Sequence, residues 1–207
     1  MHTTSQPPTL LIGTAPEVPW ARLAALLAMI RAQYPHFRIR LHQAQPRCLF
    51  DELAAGQCDL VLAPPPAPHP ILESMPVWRD ELAVALPLRS PLLAYSTIPT
   101  ESIQDYPLIQ WNPAEHEALH RHVETLVGGS VAATYTVASF EMMVALVAAG
   151  FGIGIAQRSR LDHVRAWPVG IRPLAAQGRW IGTELFWIRG QPPQIREFLL
   201  AATATME

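Results

Sequence analysis

The stretch that most constrains the fold is Ser139 to Ala156, SFEMMVALVAAGFGIGIA, an apolar helix running through glycines into an apolar strand. Met142, Met143, Leu146 and Val147 recur at helical spacing and predict one buried face. Gly150 predicts the helix stop, because a residue without Cβ enters the left-handed region at little cost. Ile153 and Ile155, interleaved with Gly152 and Gly154, predict a short buried strand. Helix, glycine turn, strand is the reverse of a dinucleotide fingerprint, in which glycines follow a strand and open a helix. The letters disagree as well: G-x-G-x-x-G begun at Gly150 meets Ile155 in sixth place. A nucleotide site is excluded here.

Elsewhere the chain alternates strands and helices. Leu10–Ile12 reads as a strand, followed by the loop Thr14–Pro19 with Pro19 suited to a helix first turn. Trp20–Gln33 is an amphipathic helix through Leu23, Leu26, Leu27 and Ile30, ending before Pro35. Phe37, Ile39 and Leu41 alternate with Arg38, Arg40 and His42, a strand with one wet face. Arg47–Ala55 is a helix stopped by Gly56, and Asp59–Ala63 an apolar strand entering the proline tract Pro64–Pro70. Then follow strands Leu82–Leu86 and Leu108–Trp111, helix Glu115–Val127 and strand Ala133–Val137. After the stretch described first come strand Glu184–Ile188 and helix Gln194–Ala202. Strand–helix–strand units with short links predict an α/β fold with a mostly parallel sheet.

Of 207 residues, 50% are hydrophobic and 15% charged, with 15 basic against 17 acidic side chains and a net charge of −2. No cluster of basic residues offers the several phosphate contacts that DNA binding by this chain alone needs. The 21 prolines are about twice the usual ~5% and mark loops rather than disorder. The polar start MHTTSQPP has no apolar signal core, and the longest apolar run is too short and glycine-broken to span a bilayer. Cys48 and Cys58 are too few for a disulfide framework and have no zinc spacing, so both are expected as reduced, packed thiols. A cytoplasmic protein is expected.

Several segments resemble, in order, the effector-binding domain of LysR-type transcriptional regulators. LVAAGFGIGIA is similar to that family's VAAG-x-GI-x-L-x-P segment, LLIGTAPEVPW (Leu10–Trp20) to its first strand and loop, and LAAGQCDLVLAPP (Leu53–Pro65) to its L-x-x-G-x-L/I-D-L-x-L segment. ELAVALPLRSPLLA (Glu81–Ala94) is similar to its crossing strand, and Ile171–Leu174 to a later strand. The resemblance covers nearly the whole chain, and nothing here corresponds to the family's N-terminal winged helix-turn-helix. It implies two Rossmann-like α/β subdomains joined by two crossing strands, type 2 periplasmic-binding-protein-like. Residues 1–8 would be a tail, 9–82 with 184–207 subdomain I, and 83–183 subdomain II. It also implies a homodimer, or a higher oligomer in a full-length regulator. Helix Trp20–Gln33 and strand Phe37–Leu41 would then pack against helix Glu115–Val127 and strand Ala133–Val137 of another copy. DNA would be reached only through the absent domain.

In open α/β sheets ligands sit beyond the carboxyl ends of strands. That rule, with the resemblance, nominates Thr14, Pro16, Glu17, Pro46, Pro64, Trp111, Asn112, Ser139 and Phe140 as lining an effector cleft between subdomains. Pro46 and Pro64 donate no hydrogen bond where some relatives grip a carboxylate, and Glu17 adds a negative charge. Those departures and the aromatic residues favour a flat apolar or polar-neutral effector, or a cleft no longer used. The alternative for Ser139 is a helix cap, and for Phe140 a core residue. Trp20 and Trp78 are read as packing residues.

Two motifs suggest enzymes. His116-Glu117-Ala118-Leu119-His120 matches H-E-x-x-H, in which two imidazoles bind zinc and the glutamate acts as base, with Glu141 as a conceivable third ligand. Its polar flanks, Glu115, Arg121 and His122, argue against a buried metal centre. Gly128-Gly129-Ser130-Val131-Ala132 nearly makes a nucleophile elbow, but lacks the closing glycine and sits at the wrong junction. The chain is therefore expected to be a sensor of a small-molecule effector, without enzymatic activity, catalytic or metal site, or cofactor. A periplasmic-type solute-binding protein or an H-E-x-x-H hydrolase is the alternative.

Overall fold

In the computed structural model, described over residues 9–66, 70–112, 114–128, 133–164 and 166–190, strands and helices alternate as expected. In chain order they are β1 (Thr9–Thr14), α1 (Trp20–Gln33), β2 (Arg38–Gln43), α2 (Pro46–Ala54), β3 (Leu60–Ala63), β4 (Leu72–Pro87), β5 (Ile98–Pro99), β6 (Leu108–Trp111), α3 (Glu117–Val127), β7 (Ala133–Val137), α4 (Phe140–Ala148), β8 (Ile153–Gln157), α5 (Arg158–Leu161), β9 (Val169–Ala175) and β10 (Trp180–Ile188). The expected helix Gln194–Ala202, the tail before Thr9 and the near-elbow at Gly129–Ala132 lie outside the described residues. The chain divides into two compact units, 1–78 with 182–207, and 79–181. It leaves the first within β4 and re-enters it within β10.

In the first unit the strand order is β2-β1-β3-β10. β1 runs parallel to both β2 and β3, and β10 pairs antiparallel with β3. All four residues of β3 are buried, as a strand covered on both faces requires. Leu23, Leu26 and Ile30 of α1 and Leu49 and Leu53 of α2 pack with Ile12, Leu60, Leu62 and Leu185 into one core. Gly13 is small because a Cβ there would lie 2.7 Å from Leu49 Cδ2 and 3.3 Å from Cys58 Sγ. The Cys58 thiol donates to Leu60 O at 2.9 Å and accepts from Gly13 N at 3.2 Å. Burial pushes its pKa above the ordinary thiol value. Cys48, by contrast, is exposed, which corrects the expectation of two packed thiols.

In the second unit β4, β8, β6 and β7 are successive neighbours, and β9 pairs with β4 and β5. β6 is parallel to β7 and β8, whereas β4 is antiparallel to β8 and β9. Its own core gathers Leu82, Val84 and Leu86 with Ile98, Ile103, Met143, Val144, Val147 and Ile153. The helix stop falls where expected: α4 ends at Ala148, and Gly150 takes φ +86°. Gly150 N donates to Val147 O and Phe151 N to Leu146 O, the paired bonds of a Schellman ending. The same pair closes α2 at Gly56, from Gly56 N to Leu53 O and from Gln57 N to Glu52 O.

Four local expectations are corrected. The buried face of α4 is Phe140, Met143, Val144 and Val147, while Met142 is 52% exposed. The strand expected at Leu82–Leu86 is the second half of a 16-residue β4, whose first half hides from periodicity behind Pro76 and the run Arg79-Asp80-Glu81. On β2 the supposed dry face is thin, with Ile39 half-buried and Leu41 exposed. Trp20 is exposed at the start of α1, not packed, although Trp78 does pack on the first core.

Candidate functional site

The nominated residues lie at the carboxyl edge of one sheet or the other. In the first unit Thr14 ends β1, in register with Gln43 of β2 and Leu62 of β3. Its hydroxyl donates to His42 O at 3.3 Å, so β1 and β2 are tied at this end. Ala15 N donates to Leu62 O at 2.9 Å, and Val18 N returns to Ala15 O at 3.1 Å. This turn carries Pro16 and buries Glu17 at 1% exposure. Pro46 stands at the first turn of α2 after β2, and Pro64 is buried just past β3. Thr14, Pro16, Glu17, Pro46 and Pro64 thus share one edge of this sheet.

In the second unit Trp111 ends β6 in register with Val137 of β7, and Asn112 N donates to Val137 O at 2.9 Å. The Asn112 side chain is committed to its own turn. Its Oδ1 accepts from Ala114 N and its Nδ2 donates to Glu115 Oε1. Ser139 caps α4, its Oγ accepting from Met142 N at 3.2 Å. Phe140 meets the Trp111 ring edge-on, centroids 5.8 Å apart, and Trp111 meets His116 at 4.6 Å. Both nominated rings are withdrawn from solvent, at 4% and 7% exposure. Each therefore contributes shape and packing more than open stacking surface.

Sequence reasoning missed Arg160. From α5, just beyond the carboxyl end of β8, it lays its guanidinium 4.7 Å from the Trp111 centroid and 5.0 Å from that of Phe140. Such cation–π geometry holds a positive charge at this edge. The carboxyl-end rule applied to β8 would have pointed to Arg158–Leu161. The same short helix is fastened by Asp80, whose carboxylate accepts from Ser159 N at 3.3 Å and from the Ser159 hydroxyl.

The H-E-x-x-H reading is corrected in detail. His116 is not in a polar helical turn but precedes α3 and is 7% exposed. Glu117 points into solvent and pairs with Arg121, while His120 Nε2 lies 3.2 Å from Glu124 Oε1. Glu141 is exposed on α4. Among the described residues no three His, Cys, Asp or Glu side chains gather as a metal site. No helix among them is long and apolar enough to cross a membrane.

The model of a family described as the LysR substrate binding domain matches residues 4–207. A probable hydrogen peroxide-inducible genes activator of Streptomyces viridosporus is 29% identical over 147 residues, 70% of this chain and 47% of that protein. The regulator AlsR of Bacillus subtilis is 23% identical over the same share of this chain and 49% of its own length. The chain spans about half the length of these curated relatives. Among solved structures, the BenM effector binding domain with its effector benzoate superposes with a TM-score of 0.85 at 16% identity, covering 97% of this chain and 92% of that one. The reduced regulatory domain of OxyR2 from Vibrio vulnificus gives 0.84 at 16% identity, covering 100% and 99%. The fold they share with this chain is type 2 periplasmic-binding-protein-like.

Proposed function

Because the chain belongs to the family of the LysR substrate binding domain, we propose that it is the ligand-sensing part of a transcriptional regulator and takes a small-molecule effector at the carboxyl-edge residues of its sheets. The observation that carries this reading is the extent of the family match, 4–207, over a fold in which Thr14 and Trp111 end parallel strands, Pro46, Ser139 and Phe140 open helices, and Pro16, Glu17, Pro64 and Asn112 lie in the turns just after strands. The protein works in the cytoplasm, performs no catalysis, and reaches DNA only through a helix-turn-helix domain outside this chain. Pro46 and Pro64 offer no donor and Glu17 is acidic, so the first unit suits a flat, polar-neutral effector better than a simple carboxylate. Arg160 adds one positive charge to the second unit's edge.

The test is a thermal-shift screen against a metabolite library, since a compound that binds only the native state raises the melting temperature by linkage. A hit whose shift shrinks in both Thr14→Val and Ser139→Ala supports the reading. A hit indifferent to both, or hydrolytic activity lost in His116→Ala, defeats it.

The chain also forms a homodimer, with α1 and the edge strand β2 of one copy against α3 and β7 of another. β2 is hydrogen-bonded to β1 alone among the described strands and leaves Leu41 44% exposed, a strand edge of the kind that proteins usually cover. Sedimentation at tens of micromolar should show a dimer that Leu41→Arg dissociates, and a wild-type monomer would remove the claim.

A further inference from the structure

Beneath the start of α3, within the second unit, lies a small cavity of about 20 Å³. Leu108, Leu119, Val123 and Ile155 form its apolar wall, and the polar residues Gln110, Trp111, His116 and His120 complete the lining. Three of those atoms, Trp111 Nε1, Gln110 Oε1 and His120 Nδ1, are buried with no hydrogen-bond partner among the described residues. Buried polar groups left unpaired are costly, and native proteins pair nearly all of them. Three such atoms around one cavity point to an occupant.

The donor and acceptor inventory identifies it. The Trp111 indole can only donate, and Gln110 Oε1 can only accept. His120 Nε2 sits 3.2 Å from Glu124 Oε1, a carboxylate oxygen that only accepts. A hydrogen on Nε2 faces that carboxylate, and Nδ1 then serves the cavity as an acceptor. The site needs one acceptor for the indole and two donors for Oε1 and Nδ1. A water molecule supplies both, and needs roughly 10–15 Å³ of space with about two to four polar partners. A metal cation matches poorly, because the indole N–H points a hydrogen where a ligand should be and the Arg160 guanidinium lies 4.7 Å from the same ring.

We propose that this cavity is a built site for one ordered water, which accepts from the Trp111 N–H and donates to Gln110 Oε1 and His120 Nδ1. The water joins the second turn of α3 to the carboxyl end of β6, and so sets where the Trp111 ring stands against Phe140. It also gives the two histidines of the H-E-x-x-H motif a role without a metal: His120 holds the water, and His116 closes the cavity against the Trp111 ring.

Water-selective NOE and ROE spectra of the whole chain test this. The Trp111 indole proton, assigned by Trp111→Phe, should show a cross-peak to water with the sign of a long-lived contact. Gln110→Met keeps the volume and removes one acceptor, so that cross-peak should weaken severalfold while the other indole signals keep theirs. It also serves if Trp111→Phe fails to fold. A wild-type indole with no such contact, or a cross-peak unchanged in Gln110→Met, overturns the proposal. So does zinc binding at one equivalent with perturbation of the Trp111 and His120 resonances, which would make the cavity a cation site.

Discussion

Cys58 shows how one residue's surroundings set a measurable property. Its thiol is buried against Gly13 and Leu60, and desolvation of the thiolate is the largest cause of its raised pKa. A group whose folded pKa exceeds its unfolded value gives stability that is complete below the unfolded pKa, here about 8.5 for a thiol, and is lost as pH rises through the folded one. The chain has no lysine, so no ammonium side chain crowds that window. Urea titrations from about pH 7 to 10 should show stability falling on the alkaline side, and Cys58→Ala should flatten the slope. Two neighbouring glycines make a second test. A Cβ at Gly152 would lie 2.2 Å from the Pro107 carbonyl oxygen, whereas one at Gly154 meets the movable thioether of Met143 at 2.8 Å. Gly152→Ala should cost about 3 kcal/mol or more in urea unfolding, and Gly154→Ala about 1 kcal/mol. At this scale strand order alone exposes the edge residues. It cannot expose Arg160, whose place depends on two rings distant in sequence, nor that Asn112 is consumed by its own turn.

Among the elements, the helix endings are legible in the sequence and the helix faces less so. Gly56 and Gly150 sit at φ +70° and +86° with nothing within 4 Å of where a methyl would stand, so alanine there meets only the conformational penalty. Each Gly→Ala should cost about 1–2 kcal/mol and each Gly→Asn less, read from melting temperatures. Ser139→Ala should cost about 1 kcal/mol through loss of the cap on α4. The facing of that helix is illegible because nearly every residue in it is apolar. Periodicity needs contrast, and with none Met142 and Val144 exchange places at no cost to the pattern. α1 is also largely apolar, but its ends are marked by Pro19 and Pro35, and its face, Leu23, Leu26 and Ile30, is readable because large side chains alternate there with alanines. β4 shows in the sequence only in its second half, the part that pairs with β8 and β9, since charge and proline mask the first.

For the whole molecule, the chain's path matters more than any single contact. The second unit is one continuous stretch, 79–181, with its own core, whereas the first is assembled from both ends of the chain. A fragment spanning 79–181 should therefore fold alone, with cooperative unfolding and native-like far-ultraviolet dichroism. A fragment ending at Trp78 should not, because β3 then lacks β10. This asymmetry is foreshadowed only by family resemblance, since nothing in local periodicity says that a late strand returns to an early sheet. It also bears on how the protein is made. About 120 residues separate β3 from its partner strand, so at ribosomal rates of about 5–20 residues per second the apolar edge Leu60–Ala63 waits roughly 6–24 s for cover. In that interval the second unit is still being made while the sheet edge stands open, and it is then that a holding chaperone has something to grip.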